Sequence, residues 1–428
     1  MAAGAVLLLA IVRPSILRGA GRWLDGALLL CLLAVGVQLI PLPAATRDRL
    51  SPQAYTVERA VALDSAPADR LPRPLSVEPE STAWALALAA TYIGLFWCAR
   101  AIFAGGGVRT IVRGMAWLGL ILTVLVTVQR ATSPNLLYWT YRPLSPGASP
   151  YGPFVNRNSL ATWLVMALPL VIGYAMARNQ SRQRPKTAAI PGASIDAMQL
   201  WLLGAAALMS GCLLASMSRA GIIGGAIGLV TFVVFARKRI TRRGAAILAA
   251  GLAGATAMSL TSPTVGRLMM RAQETTELGD WGRPAIWRDA WRMASDFWIT
   301  GVGAGAFARG MLVYQQGSRL FFFNHAHDEY LQIVTEGGLL VAIPVTAAIV
   351  AAIALMARDL RRDRSAIFWL RAGAVSGIVA VAVQSIWDTG LRTPANGVLF
   401  AVVAAAAVYE VPASRTPRTD PDNGVSRR

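Results

Sequence analysis

The sequence predicts an all-α fold, that of a polytopic membrane protein with about 11–12 transmembrane helices and one long outer loop containing amphipathic helices. Two observations carry this prediction. Hydrophobic residues make up 55% of the 428 residues and charged residues only 15%, whereas soluble domains carry about 25% charged residues. The apolar residues are also gathered into long runs, and the mean hydropathy of the chain is +0.49.

The apolar runs have the length of membrane spans. A helix needs roughly 20 mostly apolar residues to cross the hydrocarbon core of a bilayer. A shorter run at 3–12 is predicted as an additional span. The other spans are predicted at 24–42, 82–104, 110–129, 156–177, 199–217, 220–236, 244–262, 329–357, 367–386 and 396–409.

Basic residues mark every second connection between these spans. The formal charge is +19, from 41 Lys+Arg against 22 Asp+Glu. Short basic clusters in alternate connections place those connections in the cytoplasm. A nucleic-acid-binding protein would gather its basic residues on one soluble face instead, so no nucleic-acid partner is expected. The outer segments, on the side opposite the cytoplasm, are predicted to be 43–81, 131–155, a turn near 218, 263–328 and 387–395.

This topology divides the chain into four predicted parts. Residues 1–262 form the N-terminal transmembrane helices, and residues 263–328 form a large outer loop that holds several of the candidate motifs described below. Residues 329–411 form the C-terminal transmembrane helices. The polar residues 412–428 are predicted to be a disordered cytoplasmic tail.

The two histidines of the chain lie two residues apart, at His325 and His327. Asn324 or Asp328 can cap the helix that is predicted to begin near Asp328. The positive potential at that helix N-terminus lowers a histidine pKa, and a neutral imidazole is what a general base requires. A structural cap and a metal site are the alternatives, although a helix N-terminus repels a cation and no third strong ligand stands out.

Two arginines of the predicted outer face are candidates for binding an anion. Arg219 lies in SMSRAG at the junction of two spans, where an arginine can also simply snorkel to the interface. Arg283 precedes Pro284, which suits the first turn of a helix. Its guanidinium would then lie beside free N–H groups and form a phosphate site. The alternative for Arg283 is a surface charge near anionic lipid.

Aromatic and amide side chains complete the candidate set. Trp287 and Trp291 are four residues apart in the helix after Pro284, which predicts an interfacial helix with tryptophans at headgroup depth. Asn156 and Asn158 lie at the outer end of a span. They either hydrogen-bond a sugar or cap the helix.

The glycine-rich segment GVGAGAF, at 301–307, invites comparison with a nucleotide-binding loop. That fingerprint needs a preceding strand inside a βαβ unit, which the surrounding helical pattern does not offer. The segment therefore predicts a tight turn that allows a close approach of two backbones.

Together, four motifs resemble the O-antigen ligase and polymerase superfamily. They are FVNRNSLA at 154–161, SMSRAG at 216–221, GRPAIW at 282–287 and NHAHDEYLQIVTEGG at 324–338. The segment LIPLPAATRDRLSP, after the first long span, is also similar to members of that family. The resemblance implies a GT-C-like glycosyltransferase of the bacterial inner membrane, with an active site facing the periplasm and no cofactor, nucleotide sugar or metal ion.

The same resemblance implies partners and roles. The donor is expected to be a glycan on undecaprenyl diphosphate, and the acceptor a hydroxyl of lipid A–core or another glycan, both in contact with membrane lipid. Arg219 and Arg283 correspond to arginines that hold the donor diphosphate, and His327 to the family's key histidine, the base of an inverting transfer. Many members have asparagine where this chain has Asp328. The remaining candidates for substrate contacts are His325, Asp328, Asn156, Asn158, Asn324 and Trp287.

Three functions compete at this point. A ligase passes the glycan to lipid A–core, and a polymerase passes it to another repeat unit by the same chemistry. Acceptor choice resides in the outer loops, and the quality of the HAHDEY and GRPAIW matches favours the ligase. A transporter that shares the scaffold is the third candidate. Transporters place charged or broken-helix sites near the bilayer midplane, whereas the unusual polar residues here cluster at one face.

Overall fold

The computed structural model describes residues 1–62, 71–143, 150–182, 197–240, 283–317 and 322–410. Within these ranges the chain folds into α-helices and short 3-10 turns, joined by loops with three isolated β-bridges. The predicted all-α class is therefore confirmed.

The helices are numbered in chain order over the described residues. The first seven are α1 Ala2–Val12, α2 Arg22–Val37, α3 Ala44–Leu50, α4 Ala54–Val61, α5 Pro79–Ala104, α6 Val108–Thr132 and α7 Arg157–Arg182. The others are α8 Ala197–Ala215, α9 Arg219–Ala236, α10 Arg283–Asp296, α11 Phe307–Tyr314, α12 Glu329–Arg362, α13 Ile367–Gln384 and α14 Pro394–Val408. Two 3-10 turns, Gly19–Gly21 and Gly390–Arg392, precede α2 and α14.

Eight helical segments of the described chain are long and apolar enough to cross a membrane, namely Gly19–Val37, α5, α6, α7, α8, α9, α12 and α13. The apolar helices α1 and α14 are shorter. Each predicted span within the described residues coincides with one of these helices, and the span predicted at 244–262 lies outside them. The largest boundary errors are five residues, at the ends of the spans predicted at 24–42, 156–177 and 329–357, where the helices end at Val37, Arg182 and Arg362.

Helices α7 and α13 form the centre of the bundle, and α9, α8, α6 and α14 pack around them. Glycines allow the two central backbones to approach closely. A Cβ on Gly173 would lie 2.3 Å from the carbonyl oxygen of Trp369, and a Cβ on Gly373 would lie 2.3 Å from that of Pro169. Small residues at helix contacts are the usual means of tight packing in a membrane, where apolar side chains gain little by leaving lipid.

One end of the bundle joins connections that the charge pattern assigns to the cytoplasm. The Arg239 side chain, after α9, donates to the Asp363 carbonyl between α12 and α13 at 2.8 Å. The N–H of Ala20, before α2, donates to the Glu410 carboxylate, which follows α14, at 3.0 Å. Segments predicted to share this side therefore do meet at one end.

The opposite end joins the segments predicted to lie outside. The N–H of Glu329, at the start of α12, donates to the carbonyl of Ser385, after α13, at 2.9 Å. The Gln384 side chain donates to the carbonyl of Asn158, in the first turn of α7, at 3.3 Å. All candidate site residues of the described chain belong to segments at this end, which is called the site end below.

A small apolar cluster lies at the site end, separate from the main core. It joins α4, α10, α11 and the loop before α12. Its most buried side chains include Val57, Ile286, Ala290, Met293, Phe297, Phe307, Met311 and Ala326. The large outer loop therefore folds as a packed unit in its described part.

Helix α12 is broken at Gly338, whose φ of 53° and ψ of −160° are not helical. The break leaves backbone groups of the helix without helical partners, and a neighbouring segment satisfies them. The N–H groups of Leu339 and Leu340 donate to the carbonyls of Trp298 and Ile299 at 2.8 and 2.9 Å. Buried backbone groups must be paired in this way, because an unpaired one is costly.

The buried Gln38, just after α2, ties this junction to the rest of the bundle. Its amide nitrogen donates to the carbonyls of Thr300 at 2.7 Å and of Glu336 at 2.9 Å. Its amide oxygen accepts from the N–H of Ala304 at 3.0 Å. Gln38 was predicted to lie inside a span. Its side chain instead links the end of α2 to the 300–304 turn and to α12.

The glycine-rich segment forms the tight turn that the sequence predicts. Gly301, Gly303 and Gly305 all have positive φ. At Gly301, with φ +65°, a Cβ would lie 2.2 Å from the carbonyl oxygen of Glu336. Only glycine allows this approach, because any side chain would collide with the backbone of α12.

We expect Gly301→Ala to destabilise the protein, because backbone strain alone at such a position costs on the order of 1–3 kcal/mol and the Cβ also meets backbone. The thermal unfolding midpoint in detergent should fall. The matched control is Gly204→Ala in α8, where a Cβ meets nothing within 4 Å. Equal midpoints for the two variants would contradict this account of the junction.

Candidate active site at one end of the helix bundle

Asp328 caps helix α12. Its Oδ1 accepts hydrogen bonds from the N–H groups of Tyr330 at 2.9 Å and Leu331 at 3.1 Å. The sequence left the cap open between Asn324 and Asp328, and the structure assigns it to Asp328, whereas Asn324 is exposed. The Oδ1 of Asp328 is therefore engaged with backbone.

His327 has a strained backbone. Its φ is 55°, a value that residues other than glycine seldom adopt. Such strain persists only where the surroundings enforce it, and it clusters at functional sites. Its neighbours on both sides are anchored, Asp328 by the cap and Ala326 by two side chains.

Ala326 is fully buried, and both of its backbone groups are bound. Its N–H donates to the Gln332 side-chain oxygen at 2.6 Å. Its carbonyl accepts from the Trp287 indole nitrogen at 2.9 Å. Trp287 therefore bonds to the loop that holds His325 and His327, called the histidine loop below. Trp291 is 63% exposed, and its place at headgroup depth stays a prediction.

Both histidines are half-buried, and the pKa of each is lowered. Burial is the main cause at His325, and the positive charge of Arg392 adds to it, lowering the pKa from 6.5 to about 4. Burial is also the main cause for His327, followed by the positive charge of Arg283, and together they hold its pKa below 6.5. The lowered pKa values favour neutral imidazoles, with burial as the first cause and the nearby arginines as the second.

Arg283 is the first residue of α10 and is half-buried. Burial is the main influence on its pKa and lowers it. The negative charge of Asp388 opposes this effect, and the positive charge of Arg219 reinforces it. Arg219, Arg283, His327 and Asp388 therefore share one electrostatic environment.

Arg219 is placed by the turn between α8 and α9. Ser218 is the N-cap of α9, and its hydroxyl accepts from the N–H of Gly221 at 3.2 Å. Ser216 and Ser218 are buried, whereas Arg219 is exposed and begins the helix. The turn thus holds the Arg219 side chain at the site end of the bundle.

Asp388 is a buried carboxylate that the sequence analysis did not single out. It lies between α13 and α14, and its Oδ2 accepts from the Gln384 side chain at 3.3 Å. The Asn158 side chain also bonds to it. Burial raises the pKa of Asp388, and the charge of Arg283 and these hydrogen bonds oppose that rise.

The two predicted asparagines have different roles in the structure. The Asn156 Oδ1 accepts from the N–H of Asn158 at 2.9 Å, which is a helix cap for α7. Asn158 instead reaches Asp388. Capping, one of the two alternatives, is therefore found at Asn156, and a hydrogen bond from either asparagine to a sugar stays a prediction.

Arg392 is a second residue that the sequence analysis missed. Its guanidinium donates to both oxygens of Glu336, at 2.9 and 3.2 Å, and to Glu329 at 3.2 Å. Burial acts to lower the pKa of Arg392, but the two carboxylates outweigh it and hold the pKa above its usual value. The Glu336 carboxylate also accepts from the Gln332 amide at 2.8 Å.

Asp388 and Arg392 did leave a signal in the sequence. They lie within the short predicted outer connection 387–395, between two spans that are almost free of charge there. An arginine and a carboxylate stand out in so short a connection between two apolar spans. In the described part of the chain, no group of three or more His, Cys, Asp or Glu could hold a metal ion.

Taken together, the fold and the site define a multi-pass, all-α membrane protein with a polar, arginine-rich site at one end of its bundle. Residues 204–346 match the family model described as O-antigen ligase. This segment is therefore similar to the O-antigen ligase family, in agreement with the resemblance of the motifs. The matched residues include Arg219, Arg283 and His327. None of the curated proteins matches the chain.

Both histidines should remain neutral at pH values that protonate an ordinary histidine, because a lowered pKa moves protonation to more acidic pH. Diethyl pyrocarbonate modifies the neutral imidazole. The rate of modification can be followed by mass spectrometry on protein with a histidine-free tag. It should fall to half of its maximum below pH 6.5 for His327 and at pH about 4 for His325. A midpoint at or above 6.5 for His327 would contradict the described environment.

Proposed function

We propose that this protein transfers a glycan from an undecaprenyl-diphosphate-linked donor to a sugar hydroxyl of lipid A–core. It does so at the periplasmic face of the bacterial inner membrane, as an O-antigen ligase. One observation carries the proposal: Arg219, Arg283 and a neutral His327 share one environment at the site end. This site meets the needs of a reaction whose donor brings its own activation.

The two arginines form the proposed diphosphate site. Burial is the main cause of the lowered pKa of Arg283, and the positive charge of Arg219 adds to it, because the two arginines repel each other. An anion that bridges them would relieve this repulsion and gain charge-assisted hydrogen bonds. Guanidinium groups bind phosphate oxygens in a bidentate manner and can replace a divalent ion in part. The proposed reaction is therefore independent of metal.

His327 is the proposed general base. Its lowered pKa leaves the imidazole able to accept the proton of the acceptor hydroxyl. The acceptor oxygen attacks the anomeric carbon as the bond from that carbon to the diphosphate oxygen breaks. The bonding electrons leave with undecaprenyl diphosphate, whose growing negative charge Arg219 and Arg283 stabilise. A direct displacement of this kind inverts the anomeric centre.

Asp388 is proposed to position Arg283. Its carboxylate attracts the guanidinium, and the Gln384 and Asn158 side chains orient that carboxylate. A carboxylate in this place keeps Arg283 directed toward the site while no donor is bound. Burial raises the pKa of Asp388 and disfavours its charged form. The positive charge of Arg283 opposes this effect and favours the charged carboxylate.

Deletion of the gene and complementation test the function and the base together. The deletion should leave core lipid without long glycan and allow lipid-linked polymer to accumulate, and the unaltered gene should restore the glycan. His327→Ala should lower transfer by about 10²–10⁴-fold at normal protein abundance, because that is the usual contribution of a general base.

His325→Ala provides the comparison and should lose less activity than His327→Ala. Full restoration by His327→Ala would remove that residue as the base. Core lipid carrying one repeat unit after deletion would identify a repeat-unit polymerase instead, and unchanged lipopolysaccharide would point to a different polymer.

Arg283→Lys should reduce transfer about ten- to a hundredfold, because hydrogen bonds to charged groups contribute about 1.5–3 kcal/mol and lysine cannot form the bidentate contact. Initial rates in membranes measure the effect. Arg288→Lys, an exposed position on the same helix, is the matched control and should retain the full rate. Equal rates for the two variants would argue against bidentate diphosphate binding at Arg283.

A further inference from the structure

The position of His327 depends on the peptide before it. With φ at 55°, His327 does not hold its conformation by local preference. The Asp328 cap fixes the following residue, and the buried Ala326 fixes the preceding one. Whatever holds Ala326 therefore holds the imidazole of His327 in its place.

Two side chains clamp the backbone of Ala326. The Gln332 oxygen accepts from its N–H at 2.6 Å, and the Trp287 indole donates to its carbonyl at 2.9 Å. The two contacts come from different helices, α12 and α10. A rotation of the Ala326 peptide would break at least one of them, so the clamp restricts the loop on both sides.

The orientation of Gln332 is itself imposed. A glutamine amide has one oxygen acceptor and one NH₂ donor, and the two ends can exchange by rotation. The Gln332 nitrogen donates to a Glu336 oxygen at 2.8 Å, which directs its oxygen toward Ala326. The carboxylate of Glu336 thereby selects the productive orientation of the amide.

Arg392 holds Glu336 in turn. Its guanidinium binds both carboxylate oxygens of Glu336 and also reaches Glu329, and it comes from the connection between α13 and α14. Glu329, Gln332 and Glu336 follow one another at spacings of three and four residues, so they share one face of α12. A single arginine thus orders this face from outside the helix.

We propose that Arg392 is a positioning residue that fixes His327 through Glu336, Gln332 and the Ala326 peptide. The proposal rests on the proposed function for its consequence, because a misplaced base slows transfer. Arg392 does not act on the donor, which Arg219 and Arg283 hold. Its loss should therefore affect the chemical step and leave donor affinity unchanged.

The first test separates positioning from stability. Gln332→Met keeps the side-chain volume but removes the hydrogen bonds to Ala326 and Glu336. Arg392→Lys keeps the positive charge but loses the paired contact with both oxygens of Glu336. Both should lower kcat about ten- to a hundredfold, the scale expected for a displacement of about 1 Å. KM for the lipid-linked donor should stay within about twofold of the unaltered protein.

The matched control is Arg371→Lys at the opposite end of the bundle. Arg371 is also buried and also binds two carboxylates, with one contact to Asp359 at 2.9 Å and one to Asp363 at 3.2 Å. Its replacement should lower thermal stability without lowering kcat. A normal kcat in Gln332→Met or Arg392→Lys, a raised KM at constant kcat, or an equal loss of kcat in Arg371→Lys would overturn the proposal.

The second test does not depend on activity. In a His325→Gln background His327 is the remaining histidine of the chain, so diethyl pyrocarbonate reports on it alone when the tag is histidine-free. The rate of modification should rise severalfold on adding Gln332→Met or Arg392→Lys, and it should not change on adding Arg371→Lys. Unchanged rates in all variants would overturn the positioning role.

The two tests also distinguish this inference from the proposed function. One result is that the unaltered protein transfers no glycan while His327 is modified faster in Gln332→Met and Arg392→Lys. It would refute the proposed function and support the positioning of His327 by Arg392. The opposite result is transfer by the unaltered protein together with unchanged activity and unchanged modification rates in Gln332→Met and Arg392→Lys. It would support the proposed function and refute the positioning role of Arg392.

Discussion

The break in α12 at Gly338 is the constraint on which the site depends. A helix that carries the histidine loop at its first turn must also continue into a membrane span, and the break changes its course between the two. The N–H groups of Leu339 and Leu340 lack helical partners and donate to carbonyls of the turn after α10. Gly301 in that turn allows its backbone to approach the backbone of α12. Gln38 secures the same junction from α2. In this way the described part of the outer loop, the membrane-spanning part of α12 and the end of α2 are tied together.

The site is assembled from helix ends. Arg219 begins α9, Arg283 begins α10, and His327 lies just before α12. No pair of these residues is close in sequence, so their proximity is a property of the bundle and not of any local motif. Each position lies at the positive end of a helix, which favours a bound anion, and the burial of His327 favours a neutral imidazole. Arg392 binds the carboxylates of Glu329 and Glu336. Gln332 links Glu336 to Ala326 in the histidine loop.

Composition and charge were sufficient for much of this fold. The apolar runs located the helices, and the alternating basic clusters sorted the connections into two ends. Local rules also offered Asp328 as a cap. They did not reveal the roles of Gln38 or Glu336, since both lay within predicted spans where polar residues interrupt an apolar pattern without any spacing signal. The partners of Trp287 were hidden for a similar reason: helical spacing places it on an apolar face, but only tertiary structure turns its indole toward Ala326. Asp388 likewise depends on a contact between helices distant in sequence.

The central claim is that Arg219, Arg283 and His327 act together on a lipid diphosphate donor. Its most direct test is reconstitution of the purified protein in nanodiscs with undecaprenyl-diphosphate-linked glycan and lipid A–core, with mass-spectrometric measurement of released undecaprenyl diphosphate. The account predicts release that requires the acceptor, equals the glycan transferred, persists in excess EDTA and is lost when both arginines are replaced by glutamine. Absence of release by the unaltered protein, or undiminished release by the double variant, would contradict it.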